Sequence, residues 1–240
     1  MSGHSKWATT KHKKALIDSR RSRTFSKLSN SIAIAARGGK DPNNNPGLRD
    51  AIIKARAANM PSENIDRAVK RGSGEIPGVS VIEYLAEAYG PNSTAFLIRI
   101  ITDNKNRTLG SLKNILHEQN SRLAEPGSVQ WMFSEIVCLE INRALWQAHQ
   151  DLELPLIDAG AEEIIEQDGL ILITCAKTSA EKVKTVLHQA KVLFTLSVKY
   201  FAANPIIISD QTTKDTIRRL IERLEENDEI DSVYSNVSFA

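Results

Sequence analysis

From Ile17 onward, apolar residues recur at spacings of three and four: Phe25, Leu28, Ile32 and Ala35 mark the stripe of an amphipathic helix. Arg20, Arg23 and Lys27 fall on another face. Arg21 projects onto the apolar side, so either the helix starts after it or its stem snorkels toward water. Gly38-Gly39 supplies the stop. Asn45-Pro46, a cap followed by Pro at the first helical position, opens a second helix through Ala58 with Leu48, Ile52 and Ala55 inward. Met60-Pro61 opens a third, with Ile65, Ala68 and Val69 inward, ending near Gly72. A turn-rich linker, Ser73 to Gly78, closes this three-helix unit.

Beyond Gly78 the period changes. Val81 to Tyr89 and Ala95 to Thr102 read as strands around Gly90-Pro91-Asn92-Ser93; a helix follows with Leu109, Leu112, Ile115 and Leu116, then a short strand at Val129 to Phe133. Residues 136–200 read strand (136–142), helix (145–159), strand (163–167), strand (170–175), helix (180–191), strand (193–201), the β-α-β-β-α-β order of a ferredoxin-like unit. Thr178 and Glu181 have capping-box spacing. The tail adds a helix after Asp210 and a strand from Ile230 to Val237. A lone helix and strand cannot bury a core, so they are expected to complete the open unit that begins after Gly78. The expected fold is therefore α+β in three domains, a basic arm with a three-helix domain (1–76) and two α+β domains of ferredoxin-like type. One comprises 77–134 plus 205–240; the other, 135–204, is inserted in it.

Charge sharpens this division. Residues 1–76 hold 16 Lys and Arg against 6 Asp and Glu, a balance of +10, whereas the remainder carries −8. Such asymmetry points to one part built for a polyanion. The alternative is that the two parts attract each other. No apolar run approaches the roughly 18 to 20 residues of a membrane span, and the start lacks the apolar core of a secretory signal, so a soluble cytoplasmic protein is expected. Cys138 and Cys175, each inside an apolar stretch, read as reduced core thiols.

No phosphate loop, HExxH, GxSxG, CxxC pair or dinucleotide glycine fingerprint occurs, and no nucleophile and base stand together. The expectation is a protein with no catalytic site, metal, cofactor or small-molecule substrate. His4 and His12 lie eight apart among cations, a poor setting for a divalent ion. The informative string is His4, Lys6, Trp7, Lys11, His12, Lys13, Lys14, Arg20, Arg21, Arg23 and Lys27, with Phe25 interleaved. Cations replace condensed counterions along a phosphate backbone, and an aromatic ring stacks on an exposed base. The plainer alternative is a solvated basic tail with Trp7 packed on the helical unit. The first fifteen or so residues bury too little apolar surface to order without a partner. Lys105 and Arg107 lie where a strand hands over to a helix, a place suited to anions; Asp103 or Asn104 acting only as a cap is the structural alternative.

Several longer strings go further. Gly3-His4-Ser5-Lys6-Trp7, Lys11-His12-Lys13-Lys14, Ala36-Arg37-Gly38-Gly39, Asn59-Met60-Pro61, Tyr89-Gly90-Pro91, Thr102 to Thr108 and Gly127-Ser128-Val129-Gln130-Trp131-Met132-Phe133 resemble the YebC/PmpR family over essentially the whole chain. The resemblance implies three domains, the third inserted in the second. It implies one of two jobs: DNA-binding transcriptional regulator, or translational activator and ribosome-associated factor acting on RNA. Either way the partners are DNA or RNA, the ribosome among them. Asn92-Ser93 and Asn120-Ser121 stand where relatives carry Gly-Gly; Asn tolerates left-handed backbone, so the turns are expected to persist.

Overall fold

The computed structural model describes residues 4–240 except Val79 and Asp168, with side chains described from Arg20 onward. Three helices come first: α1 (His4–Ala36), α2 (Pro46–Ala57) and α3 (Ser62–Gly72). Helix α1 thus begins at His4, not at Ile17. No Gly or Pro interrupts residues 4–36, and Lys, Arg, Ala and Leu propagate a helix once it is nucleated. Ile32, Ala36, Leu48, Ile52, Ala55, Ile65 and Ala68 form the buried core of this unit. Asn45 ties two ends together: its carbonyl accepts from Leu48 N at 3.0 Å, and its amide donates to the Ala35 and Gly39 carbonyls, both at 2.8 Å. At Gly72 the helices touch, for a Cβ there would lie 2.0 Å from the Ala33 carbonyl oxygen.

The chain continues through β1 (Ile82–Tyr89), β2 (Ala95–Thr102), α4 (Lys105–Glu118), β3 (Arg122–Leu123), β4 (Phe133–Asn142), α5 (Arg143–Trp146), α6 (Glu153–Asp158), β5 (Ala161–Gln167) and β6 (Leu170–Ala176). It ends with α7 (Ala180–Gln189), β7 (Thr195–Ala202), β8 (Ile206–Ile208), α8 (Gln211–Glu225), β9 (Ile230–Ser235) and β10 (Val237–Phe239). One sheet has the order β3-β1-β2-β9 and the other β5-β6-β4-β7. In the first, Phe96, Ile98 and Ile100 pack on Leu112 and Leu116 of α4 and on Ile217, Leu220 and Leu224 of α8. The reverse face of β2 is covered as well. Ala95 and Leu97 meet Val129, Phe133, Tyr200 and Tyr234, while Ile101 and Val81 meet Ala33 and Ile34 of α1. That double burial explains why β2 is apolar on both faces, with Arg99 alone breaking the run before Thr102.

The second sheet is antiparallel throughout and packs Val137, Leu139, Ile141, Ile171, Ile173 and Cys175 against Val183 and Leu187 of α7, Leu156 of α6 and Trp146 of α5. The fold class is α+β, as the element order predicts. Cys138 and Cys175 are buried and unbridged, and burial raises both thiols above their ordinary range.

Local departures have local causes. The expected strand at Val129–Phe133 is a tight 3₁₀ turn leading into β4. The buried Glu87 carboxylate collects the N–H groups of Gly127 (2.5 Å), Val129 (2.6 Å) and Gln130 (2.9 Å), winding the backbone around one acceptor. The expected helix 145–159 is broken into α5 and α6, because Asn142 caps early and Pro155, which lacks an N–H, fits only the first turn of a new helix. Thr178 makes no capping box: α7 starts at Ala180 with no side-chain cap, since Ser179 already has helical backbone angles. Asn236 ends β9 by accepting from Ala95 N at 2.8 Å, after which β10 pairs with β8, a parallel ribbon too short to read in sequence. Asn92, Ser93 and Asn120 all have positive φ, the left-handed backbone expected at these two turns.

Candidate nucleic-acid interface

Thirty-three residues of helix make α1 about 50 Å long. Its C-terminal part is rooted through Phe25, Leu28, Ile32 and Ala36 in the helical core and Ala33 on the sheet. His4, Lys6, Trp7, Lys11, His12, Lys13 and Lys14 occupy the other end of this helix, and their side chains lie outside the described residues. Arg20 and Arg21 are exposed. Arg21 resolves its conflict with the apolar stripe by laying its guanidinium over the Phe25 ring, 5.2 Å from the centroid, which keeps its charge outward.

Lower on the helix the cations turn toward the protein's own acids. Arg23 stands 3.8 Å from Glu226. Lys27 is partly buried, which lowers the pKa of its amine, while Glu225, Asp231 and Asp228 pull in the other direction. Arg107 donates to Asp103 at 2.9 Å and to Glu229, and these hydrogen bonds raise its pKa. Glu229 also accepts from Thr102 (2.6 Å) and Thr108 (2.8 Å). Asn104 rather than Asp103 caps α4, accepting from Arg107 N at 3.1 Å. Lys105 covers the Tyr84 ring, 5.1 Å from its centroid. The structure therefore gathers Arg23 and Arg107 around the acidic turn 226–229 and sets Arg20 and Arg21 apart from it.

Other exposed cations were not singled out from sequence: Arg37, Arg49, Arg56 and Lys70. Arg49 and Arg56 are seven apart on α2, away from Leu48, Ile52 and Ala55; that helical period is the signal by which they were legible. Across the unit, Lys54 of α2 meets Glu140 of β4 at 3.6 Å, so the helices also touch the second sheet. Among the described residues no group of three His, Cys, Asp or Glu side chains is arranged to hold a metal, and no helix is long and apolar enough to cross a membrane.

Comparison with known proteins places this architecture. A family model described as the TACO1/YebC protein N-terminal domain matches residues 5–75, and one described as the TACO1/YebC second and third domain matches residues 81–237. The chain belongs to the TACO1/YebC family. Among its relatives are proteins named probable transcriptional regulatory protein. One from Moorella thermoacetica is 41% identical, covering 98% of this chain and 95% of its own; one from Thermoanaerobacter pseudethanolicus is 40% identical, covering 99% and 97%. A crystal structure of a conserved hypothetical protein from Aquifex aeolicus superposes with a TM-score of 0.77 at 30% identity, over 93% of each chain. This fold is thus shared with a solved structure over most of the chain.

Proposed function

We propose that this chain is a DNA-binding transcriptional regulator that grips the phosphate backbone with α1 and the exposed cations of the helical unit. The observation that carries the reading is the +10 balance of residues 1–76, with Arg20, Arg21, Arg49 and Arg56 open to solvent. A surface of that charge releases condensed counterions from a polyanion, and this entropy drives association. The names of the full-length relatives support the same reading. The protein acts as a binding module rather than an enzyme, in the cytoplasm, with nucleic acid as its partner and no cofactor. Its working parts are three domains, 1–76, 77–134 with 205–240, and 135–204, the first holding the polymer and the others supporting it.

Reversing Lys11, Lys13 and Lys14 to Glu tests this. Binding weakens at every sequence, and the slope of log affinity against log salt falls by about 2 to 3. Unchanged binding removes the idea. Sedimentation with ribosomes at moderate salt separates the transcriptional role from one in translation: the protein stays in the free fraction while promoter DNA is retained.

A further inference from the structure

A cleft of about 440 Å³ opens where α1 and α3 face the ends of β2 and α8. Its size lies in the range of small-ligand sites, roughly 300 to 1,000 Å³. Ser22, Ser26 and Ser29, spaced by four and three along one stripe of α1, form its floor with Phe25. Asn64, Arg67 and Arg71 of α3 form one wall, and the opposite wall runs from Ile101 to Asp103 and across to Asp228 and Glu229. Two acids of that wall are already engaged, since Asp103 and Glu229 hold Arg107, and Asp228 lies close enough to attract Lys27.

Arg71 is the anomaly. Its Nη2 donates to the Asn30 carbonyl oxygen at 2.7 Å and to Ser29 Oγ at 3.5 Å, both neutral acceptors. Its Nε is buried without a hydrogen-bond partner. Among the described residues no carboxylate pairs with it, and Asp103 attracts it only from a distance. Partly buried Arg99, by contrast, has both Glu83 and Asp231. A partly buried guanidinium lacking a counter-anion is costly unless an anion arrives from outside. Arg67, exposed and tied among the described residues only to Glu63 one turn away at 3.3 Å, is available beside it.

An anion on Arg71 and Arg67, hydroxyl and amide groups along the floor, and the apolar surface of Phe25 and Met60 together match the three parts of a nucleotide. We infer that the cleft takes one unpaired nucleotide of the nucleic acid held by α1, its phosphate at Arg71 and Arg67 and its base against Phe25 and Met60. This rests on the nucleic-acid reading and adds to it a requirement for single-stranded or locally opened polymer. A base inside a duplex is stacked on both faces and cannot enter.

The experiment uses the full chain with a short deoxyoligonucleotide carrying one 2-aminopurine, presented as a single strand or as the fully paired duplex. The single strand binds about tenfold more tightly, and its fluorescence changes on binding. Asn64→Trp, which plugs the cleft from a half-exposed position on α3, and Arg67→Ala bring the single strand down to the duplex affinity. Lys11→Glu with Lys13→Glu and Lys14→Glu weakens both forms alike. Adenosine monophosphate competes for the fluorescence signal and leaves duplex binding intact. Equal binding of strand and duplex, untouched by Asn64→Trp, overturns the cleft and spares the basic arm; failure to bind either form overturns both. Binding of the mononucleotide with the oligonucleotide indifferent to Asn64→Trp also overturns it, since the cleft would then serve free nucleotides.

Discussion

Asn30 holds Arg71 on its side-chain oxygen at 2.7 Å, and the same amide donates to the main-chain carbonyl of Asp228 at 3.1 Å. One side chain thus joins α1, α3 and the turn before β9, and it also reaches the Ile101 carbonyl at 3.4 Å. Asn30→Ala leaves a partly buried guanidinium and a main-chain acceptor unserved, which costs about 1 to 3 kcal/mol. Urea denaturation reads this as a lower midpoint with an unchanged slope.

Gly72→Ala is destabilising by about 1 to 3 kcal/mol, because its methyl would collide with the Ala33 backbone, which cannot move aside as a flexible side chain does. The same change at Gly110, where a Cβ meets nothing within 4 Å, stabilises α4 by up to about 1 kcal/mol. Opposite shifts in melting temperature check the pair.

Glu87→Ala strands three inward-facing N–H groups at 127–130 and costs roughly 3 kcal/mol. Glu87→Gln keeps one acceptor and costs less. Hydrogen exchange at Val129 and Gln130, slow in the parent, becomes fast in the Ala variant.

Acid should act on the Asp210 cap of α8. Hydrogen bonds from Thr213 hold this carboxyl below its ordinary 3.8. The cap's contribution is therefore complete above the unfolded value and is lost as pH falls through the lower folded value. Asp210→Asn still caps but does not titrate. Its melting temperature changes less than the parent's when pH drops from about 5 to about 2.

Arg20 and Arg107 differ in what they can offer a phosphate. Arg107 is committed to Asp103 and Glu229, whereas Arg20 is open to solvent. Arg20→Gln lowers the salt slope of nucleic-acid binding by about 0.9, and Arg107→Gln leaves it unchanged. Equal effects would mean that the acidic turn releases Arg107 on binding.

Most of the strand and helix order was legible because most elements have one buried face: Ile217, Leu220 and Leu224 of α8 repeat at three and four, and the start of that helix after Asp210 could be placed beforehand. The errors fall where a distant group decides the local backbone. Nothing near Val129 announces that Glu87, 42 residues earlier, will bend it into a turn. The start of α1 was misplaced because an apolar stripe marks a buried face rather than a helix start, and this helix begins at His4, ahead of the stripe that starts at Ile17. For the interface, a charge count locates cations but not their partners. Arg23 and Arg107 look like Arg20 in sequence, and only the folded position of the acidic turn 226–229 separates them.

Ala95 and Asn236, 141 residues apart, exchange backbone and side-chain hydrogen bonds, and β2 receives its last neighbour only when β9 arrives. During synthesis β2 therefore waits with an open edge, while β4 through β7, contiguous in the chain, have every partner they need and close first. Chains truncated before Ile230 should therefore expose a sticky β2 edge and aggregate.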